Sequence, residues 1–486
     1  MNVVDYFFKS SRKLNKDFIA GVEEKISFKD LYSQVNNLAA ILHEKLGSNK
    51  EILLLSENNL FYIISYLAII KSKNIAVLIE TRISETDLKE LVDQCSLKAF
   101  FIQEKKRNKL KLKRNVFTES FLENLPQKRE KFEVKTDDND LAVIIFTSGS
   151  TGKKKGVMLT HKNLRANTES IIKYLRLTKK DCMEVVLPFF YVYGASLLHT
   201  HLRAGASLVL NKGIFLNCLK DINRFKCTGF AGVPSTFQIL VNKSNFLQRK
   251  FPKLKYMTQA GGKLANKFIL QITNAFPKKK FFVMYGATEA SARLSYLPPN
   301  LIKKKLGSIG KGIPGVVLKV LNKKGNSVKP GQVGELTAKG NNIMKGYYKN
   351  PKETKKVLKN GRYYTGDLAR IDKQGFIYVV GRKDHMIKSA GYLISPHEIE
   401  NIINSVKGVL NNVVVGIPDD LLGEAIAVAV EVKKKSNNLK KKIIDICNKK
   451  LPSYKVPKKV VFFDQLPLNS SYKIDMRKII KCLKNS

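Results

Sequence analysis

The chain has no tryptophan, only six histidines, and 40 acidic residues against 87 basic ones. It also has few cysteines for its 486 residues: Cys95, Cys182, Cys218, Cys227, Cys447 and Cys482. None forms a CxxC pair or stands at metal-ligand spacing from a histidine, which excludes a zinc-ribbon or zinc-finger protein. Cysteines this sparse also exclude a disulfide scaffold. They predict reduced thiols and a cytoplasmic location.

Long apolar runs are missing as well. The most apolar stretch covers residues 60–70 and stops at Lys71, which is too short to span a bilayer. The first residues, MNVVDYFFKSSRK, lack the long apolar core of a signal sequence. The sequence therefore predicts neither a membrane anchor nor a transmembrane segment.

The net charge of +47 comes mostly from lysines scattered along the chain. Nucleic-acid binders more often concentrate basic residues on one element, with aromatic residues between them. We interpret the excess as a lysine-biased surface that attracts anionic substrates. A nucleic-acid binder is the alternative that this charge suggests, but the chain has no recognisable binding module, and no specific nucleic-acid partner is expected.

Between residues 51 and 280, short apolar runs alternate with amphipathic segments. The runs EILLLS, AVLIE, AFFIQ, EVVLP, ASLVL, TGFAGVP and FFVMYG predict buried strands. Residues 84–95, 161–175, 194–204 and 264–276 predict helices. This alternation is typical of an α/β domain with largely parallel sheets.

The sequence pattern changes at residues 307–377. There, glycines interrupt segments of alternating apolar and polar residues, which predicts hairpins or a small barrel. After Gly381 a compact final segment mixes helices and strands. We therefore predict a boundary near Asp384, with one domain over residues 1–383 and a second over 384–486.

One stretch, residues 141–157, departs most sharply from an ordinary α/β pattern. A predicted strand at 141–146 leads into small residues and then lysines: Thr147, Ser148, Gly149, Ser150, Thr151, Gly152, Lys153, Lys154 and Lys155. Glycines let successive N–H groups face one anion, hydroxyls add donors, and lysines add charge. This composition predicts a polyphosphate cradle, although a flexible solvated turn would have a similar composition. The spacing excludes the P-loop, since Thr147 stands where its first glycine would be.

This loop resembles the phosphate loop of the adenylate-forming (ANL) superfamily, usually TSG-S/T-TG-x-PKG-V. Lys154 stands where proline is common, and Lys155 keeps the family's lysine position. The superfamily includes acyl-CoA synthetases, carrier-protein-loading ligases, adenylation domains and firefly-type luciferases.

Further motifs follow in family order. The segment LPFFYVYG at 187–194 is similar to the family's acid-pocket wall, which places Tyr191, Tyr193 and Gly194 at the pocket. Without the resemblance, a strand end with core aromatics explains these residues equally well. Tyr191 replaces a common histidine. No carboxylate is present at 190–193 to pair with an ammonium group, which disfavours an α-amino acid substrate.

The nucleotide motifs come next. QAGGK at 259–263 resembles the family's adenine segment and implies that Gly261 and Gly262 bind adenine. YGATE at 285–289 matches the family's YGxTE: Tyr285 and Gly286 would face adenine, Thr288 the α-phosphate and Glu289 a Mg²⁺ ion.

The remaining motifs occupy the last quarter of the chain. YTGD at 364–367 and GRKD at 381–384 resemble the ribose-binding segments and imply ribose contacts by Asp367 and Arg382, with Asp384 at the hinge. KSAGY at 388–392 implies a thiol-acceptor region at Gly391. LPLNSSYKID at 466–475 places Lys473 on the family's catalytic lysine, with Tyr472 where glycine is usual.

The resemblance implies a large N-terminal domain of α/β subdomains plus a small β-barrel, followed by a smaller, mobile α+β C-terminal domain. It implies that ATP and Mg²⁺ activate a small-molecule acyl or aryl carboxylic acid as acyl-AMP, with release of pyrophosphate. The acyl group would then pass to CoA. Two alternatives stay open: loading of the phosphopantetheine arm of an acyl carrier protein, and a catalytically impaired nucleotide-binding relative, suggested by Lys154 and Tyr472.

Overall fold

The structure is a computed structural model that describes residues 1–21, 23–109, 115–125, 132–148, 154–211, 215–389, 391–469 and 473–485. Its α-helices, numbered in chain order, are α1 Val3–Phe8, α2 Phe28–Leu46, α3 Leu60–Lys71, α4 Glu85–Gln94, α5 Glu119–Glu123, α6 His161–Leu175, α7 Val192–Ala204, α8 Cys218–Arg224, α9 Pro234–Lys243, α10 Asn266–Ala275, α11 Pro351–Val357, α12 Pro396–Ile403, α13 Asn437–Lys450 and α14 Met476–Asn485.

The strands are β1 Asp17–Ala20, β2 Lys25–Ser27, β3 Glu51–Leu55, β4 Ile75–Leu78, β5 Leu97–Ile102, β6 Val116–Phe117, β7 Leu141–Ser148, β8 Lys154–Thr160, β9 Cys182–Val185, β10 Ser207–Leu210, β11 Gly229–Gly232, β12 Tyr256–Gln259, β13 Lys280–Tyr285, β14 Ser295–Leu297, β15 Lys311–Gly312, β16 Val316–Leu321, β17 Val333–Gly340, β18 Gly346–Tyr347, β19 Leu358–Lys359, β20 Arg362–Ile371, β21 Ile377–Arg382, β22 Ile387–Ser389, β23 Tyr392–Ile394, β24 Val409–Asp419, β25 Gly423–Val432 and β26 Lys459–Phe463.

The first sheet has seven strands in the order β18-β8-β7-β4-β3-β5-β6. Its inner strands β7, β4, β3 and β5 run parallel. Four of the five residues of β3 are buried, as expected for a parallel strand covered on both faces. Helix α3 packs under this sheet with nearly every side chain buried. Among the residues that the structure describes, no helix is both long and apolar enough to cross a membrane.

The second sheet has nine strands in the order β15-β14-β13-β12-β11-β9-β10-β1-β2. Strands β10, β9, β11, β12 and β13 are parallel, so their carboxyl ends lie at one edge. In open α/β sheets that edge is where ligands bind. The motifs at 259–263 and 285–289 both emerge there.

A third, five-stranded sheet forms a half-barrel, in the order β16-β17-β20-β19 with β21 paired to β20. The glycine-interrupted strands at 307–377 predicted it. The α/β fold class predicted from the sequence, with a small barrel and a smaller C-terminal domain, is confirmed.

The fourth sheet, β23-β22-β25-β24 with β26 on β25, uses only strands that follow Asp384. Helices α12 and α13 cover one of its faces and α14 the other, giving two small cores. The hinge at Asp384 and the bounds 1–383 and 384–486 stay predictions.

Candidate active site

Glycines form the floor of the site at the carboxyl ends of β12 and β13. Gly261 has φ +88°, a conformation that favours glycine. A Cβ on Gly286 would lie 1.7 Å from the carbonyl oxygen of Ala292, so no larger residue fits there. A flat backbone surface results, which suits a planar ring.

Lys473 reaches this floor from the C-terminal segment. Its Nζ lies 4.5 Å from the centre of the Tyr191 ring, and its Cε is 3.4 Å from where a Cβ on Gly261 would be. The backbone of Asn469 and Lys473 closes a tight loop, with the Asn469 N–H donating to the Lys473 carbonyl at 2.7 Å. Tyr472, inside that loop, lies outside the described residues.

Tyr191, Tyr193 and Gly194 form the start of α7. A Cβ on Gly194 would lie 2.0 Å from the carbonyl oxygen of Pro188, so this helix can approach the preceding segment only because residue 194 is glycine. Tyr191 faces Lys473. Tyr193 is 2% exposed, and its hydroxyl donates to the Thr258 carbonyl at 3.0 Å. Tyr191 therefore faces the site directly, while Tyr193 is anchored in the core beside it.

Asp367 and Arg382 are brought together by the register of β20 and β21. Asp367 accepts a hydrogen bond from the Tyr285 hydroxyl, and the Arg382 Nε lies 3.8 Å from Asp367 and 3.1 Å from Asp384. Burial raises the pKa of Asp367, and the charge of Arg382 opposes that shift. The predicted ribose carboxylate and its predicted arginine partner thus form one cluster with the tyrosine of the YGATE motif.

Thr288 and Glu289 lie in a single 3-10 turn, Thr288–Ala290, with Thr288 buried. Glu289 Oε1 accepts a hydrogen bond from the Tyr347 hydroxyl at 2.8 Å. A carboxylate held this way offers hard oxygen to Mg²⁺, so its chemistry fits the predicted metal role. No motif pointed to Tyr347, because it belongs to a short strand far along the chain.

The predicted phosphate loop is described only at its two ends. Gly149, Ser150, Thr151 and Gly152 lie outside the described residues, while Thr147 and Ser148 end β7 and Lys155 lies on β8 opposite Thr147. Lys155 forms an ion pair with Glu353 at 2.6 Å, and its Nζ lies 5.4 Å from the centre of the Tyr347 ring. Lys155 is therefore near Glu289 through their shared neighbour Tyr347.

Gly391 faces solvent in the same structure that holds Lys473 in the site. It has φ +79°, and no atom of the residues that the structure describes lies within 4 Å of a Cβ built on it. Its neighbour Tyr392 is also exposed and stacks on Tyr454 at 4.1 Å. The C-terminal domain thus presents its lysine, and not the Gly391 segment, to the N-terminal domain.

The interface between the N-terminal and C-terminal domains contains residues that no motif predicted. Gln238 on α9 and Asn411 on β24 exchange two side-chain hydrogen bonds, both 3.1 Å. Lys267 donates to the Val409 carbonyl at 2.9 Å. A cleft of about 380 Å³ beside these contacts is lined by Gly261, Arg382 and Lys473, among others. Amide pairs leave no spacing signal in a sequence, so only the structure could reveal this one.

A larger cavity of about 1050 Å³ lies elsewhere, lined by Glu57, Phe61 and Phe190 among others. It shares only part of the wall segment with the residues above, and none of its lining residues belongs to the described parts of the nucleotide motifs.

Comparisons with known proteins identify the family of the chain. The family model for AMP-binding enzymes matches residues 8–348, and that for the AMP-binding enzyme C-terminal domain matches 398–473. A long-chain-fatty-acid–CoA ligase of Escherichia coli O6:H1 is 33% identical over 346 residues, covering 70% of this chain and 61% of the relative. A 2-succinylbenzoate–CoA ligase of Geobacillus sp. is 31% identical over 373 residues, covering 76% and 75%. The chain spans about three fifths of the length of the fatty-acid ligases it matches.

Two solved structures share the fold. ATP-bound MatB from Rhodopseudomonas palustris superposes with a TM-score of 0.88 at 24% identity, covering 100% of this chain and 99% of that one. The anthranilate CoA ligase AuaEII, in complex with anthranoyl-AMP, gives 0.91 at 22%, covering 99% and 97%. The chain belongs to the AMP-binding enzyme family and so to the adenylate-forming superfamily, as its motifs predicted.

Proposed function

We propose that this protein is an AMP-forming acid–CoA ligase. It would activate a carboxylic acid with ATP as acyl-AMP, release pyrophosphate, and pass the acyl group to CoA. The observation that carries the proposal is the arrival of Lys473 at Tyr191 and Gly261, on the same floor that Tyr285 and Gly286 complete.

The difficulty of the first step is electrostatic, because a carboxylate must approach a polyanion. Lys473 would bridge the attacking carboxylate and the α-phosphate, with Thr288 donating to the same phosphate. Glu289 would hold Mg²⁺, which neutralises phosphate charge when bound. Catalysis of this kind needs positioning and charge stabilisation, and no covalent enzyme intermediate.

The nucleotide would be held by residues already in contact with one another. Asp367 would accept the ribose hydroxyls, with Arg382 beside it and Tyr285 against adenine. Lys155 would hold the outer phosphates together with the loop from Thr147 to Gly152.

The second step would require a different orientation of the C-terminal domain, residues 384–486. Rotation at Asp384 would withdraw Lys473 and bring the exposed Gly391 segment to the thiol. CoA is the preferred acceptor because the relatives named above are CoA ligases. A carrier-protein arm is the second candidate, an impaired relative the third, and a cytoplasmic location remains part of the proposal.

A pyrophosphate-exchange assay with a panel of acyl and aryl acids tests the first step. We expect ATP–pyrophosphate exchange that depends on one class of acid. The purified acyl-AMP is then offered CoA and, separately, a phosphopantetheine-loaded carrier protein. ATP binding without exchange for any acid, in folded protein, would overturn the proposal in favour of an impaired relative.

A further inference from the structure

A buried arginine lies next to the acid-pocket wall. Arg293 is 2% exposed, and its guanidinium carbon lies 3.8 Å from the centre of the Tyr193 ring. Within the described part of the chain its Nε has no hydrogen-bond partner, and the contact of its Nη1 with the Ala292 carbonyl is long at 3.5 Å. Among the described residues, no aspartate or glutamate forms an ion pair with it. Arginine stays protonated in proteins, and a buried charge normally has a counter-ion.

The backbone that leads into Arg293 is strained, and hydrogen bonds from neighbouring side chains hold it in place. Ser291 and Ala292, the two residues before it, have φ of +55° and +122°, in a region that side chains disfavour. Two buried asparagines secure the turn: Asn167 and Asn342 donate to the Arg293 carbonyl at 3.1 and 2.9 Å. Strain that the surroundings hold in place clusters at functional sites.

The surroundings favour negative charge at this wall. Lys473 lies over Tyr191 at 4.5 Å and Arg293 over Tyr193 at 3.8 Å, so a cation stands at each of two tyrosines that are two residues apart. Both tyrosines begin α7, whose N-terminus has no side-chain cap. The N-terminus of a helix adds partial positive charge to that of the two side chains.

We infer that the acid substrate carries a second anionic group, in the simplest case a second carboxylate, and that Arg293 binds it. The reacting carboxylate would lie at Lys473 and the distal one at Arg293, with the hydrocarbon between them along the aromatic wall. A planar guanidinium can hold a carboxylate through two parallel hydrogen bonds. The inference rests on the proposed ligase function and deepens it by naming dicarboxylic acids as the substrate class.

A purely structural arginine would behave differently. Stacked on Tyr193, it would stabilise the turn and leave the choice of acid unchanged. The two roles are therefore separated by substrate preference and not by stability.

The test compares dicarboxylic and monocarboxylic acids of equal length, from four to eight carbons, together with phthalate and benzoate. The readout is kcat/KM in pyrophosphate exchange. We expect wild type to prefer one diacid over its matched monoacid by about 100-fold or more, because a site built for a charged partner rejects the analogue that lacks it. Arg293→Met should lower that ratio by about 100-fold.

Arg293→Lys keeps the charge but loses the planar guanidinium group. It keeps the inference testable if the methionine variant does not fold. We expect it to raise KM for the diacid about tenfold with KM for ATP unchanged. Arg203→Met is the matched control, since Arg203 also stacks on a tyrosine, Tyr6 at 4.9 Å, near the other end of α7. It should leave the ratio unchanged.

If wild type exchanges pyrophosphate with monoacids at a kcat/KM equal to or higher than that for the matched diacids, the inference is wrong while the ligase function stands. The inference also fails if Arg293→Met or Arg293→Lys leaves the acid preference of wild type intact. Absence of exchange with any acid would instead refute the proposed function itself.

Discussion

At the scale of single residues, we expect Lys473 to make the most direct contribution to the proposed reaction, because its charge would matter most as the acid attacks the α-phosphate. We expect Lys473→Ala to lower the rate of acyl-AMP formation by about 10²–10³-fold, the usual cost of removing one transition-state contact. ATP binding should change little. Thioester formation from supplied acyl-AMP should stay near the wild-type rate.

Lys478→Ala is the control for that variant, since Lys478 is exposed on α14, five residues away. It should match wild type in both half-reactions. If Lys473→Ala slows both half-reactions equally, the lysine does not act specifically in adenylation.

Glu400, on α12, gives the molecule a predicted pH dependence. Its side chain is 21% exposed, into the cleft between the domains, and burial raises its pKa to about 7 against opposition from Val414 N–H and Lys263. Because the folded protein holds this proton more tightly than the unfolded chain, protonation of Glu400 stabilises the folded state. This contribution to the free energy of unfolding is complete below about pH 4.5. It is lost as the pH rises to about 7.

The measurement is Tm between pH 4 and 9 for wild type and Glu400→Gln. We expect wild type to lose stability relative to the variant as the pH rises through this window, and the difference to level off above it. Glu398→Gln on the same helix is the control, because Glu398 is exposed and pairs with Lys455. A constant difference between wild type and Glu400→Gln at every pH would contradict the prediction.

At the scale of elements, the ion pair between Lys155 on β8 and Glu353 on α11 joins two segments far apart in the chain. Lys155 and Lys356 hold the pKa of Glu353 down to about 2. A partly exposed pair of this kind contributes about 0.2–1 kcal/mol, and bound ATP phosphates would have to displace Glu353 from Lys155 at that cost. Glu353→Gln should therefore lower KM for ATP by up to about fivefold, since 1.36 kcal/mol is tenfold.

Lys155→Ala should do the opposite and raise KM for ATP by about tenfold, because the phosphates lose a cation. Lys356→Ala removes the other partner of Glu353 and should leave KM for ATP within about twofold of the wild-type value. If Glu353→Gln raises KM instead, Glu353 positions Lys155 for ATP and does not compete with it.

At the scale of the whole molecule, we expect the orientation of the two domains to decide whether Lys473 reaches the proposed site. Gln238 and Asn411, 9% and 7% exposed, bond to each other across the interface. Removing one partner leaves a buried amide unsatisfied at a cost of about 1–3 kcal/mol, while replacing both with apolar groups is nearly neutral. Gln238→Leu should therefore slow acyl-AMP formation by about tenfold or more.

The double variant Gln238→Leu with Asn411→Leu should recover most of that loss. Thioester formation from supplied acyl-AMP, for which we propose the other orientation, should not slow in either variant. Equal rates of adenylation in wild type and Gln238→Leu would show that this amide pair does not hold the adenylating arrangement.

Much of the fold follows from local sequence patterns. The apolar runs predicted the strands β3, β4, β5, β9, β10, β11 and β13, because a parallel strand covered on both faces needs apolar residues at every position. Predicted helices 84–95, 161–175, 194–204 and 264–276 correspond to α4, α6, α7 and α10, with ends that differ by at most two residues. Such patterns say nothing of which strands pair, and the order of each sheet came from the structure.

The sequence by itself also determined which residues were candidates for the site, since motifs such as YGATE and YTGD resemble the nucleotide-binding motifs of the adenylate-forming superfamily. Only the tertiary structure decided what surrounds them. Tyr347 bonds to Glu289, Glu353 pairs with Lys155, and Arg293 is buried against Tyr193. These partners lie up to 198 residues apart in the chain or depend on a strained turn. Burial and pairing are properties of packing, so no local pattern carries them.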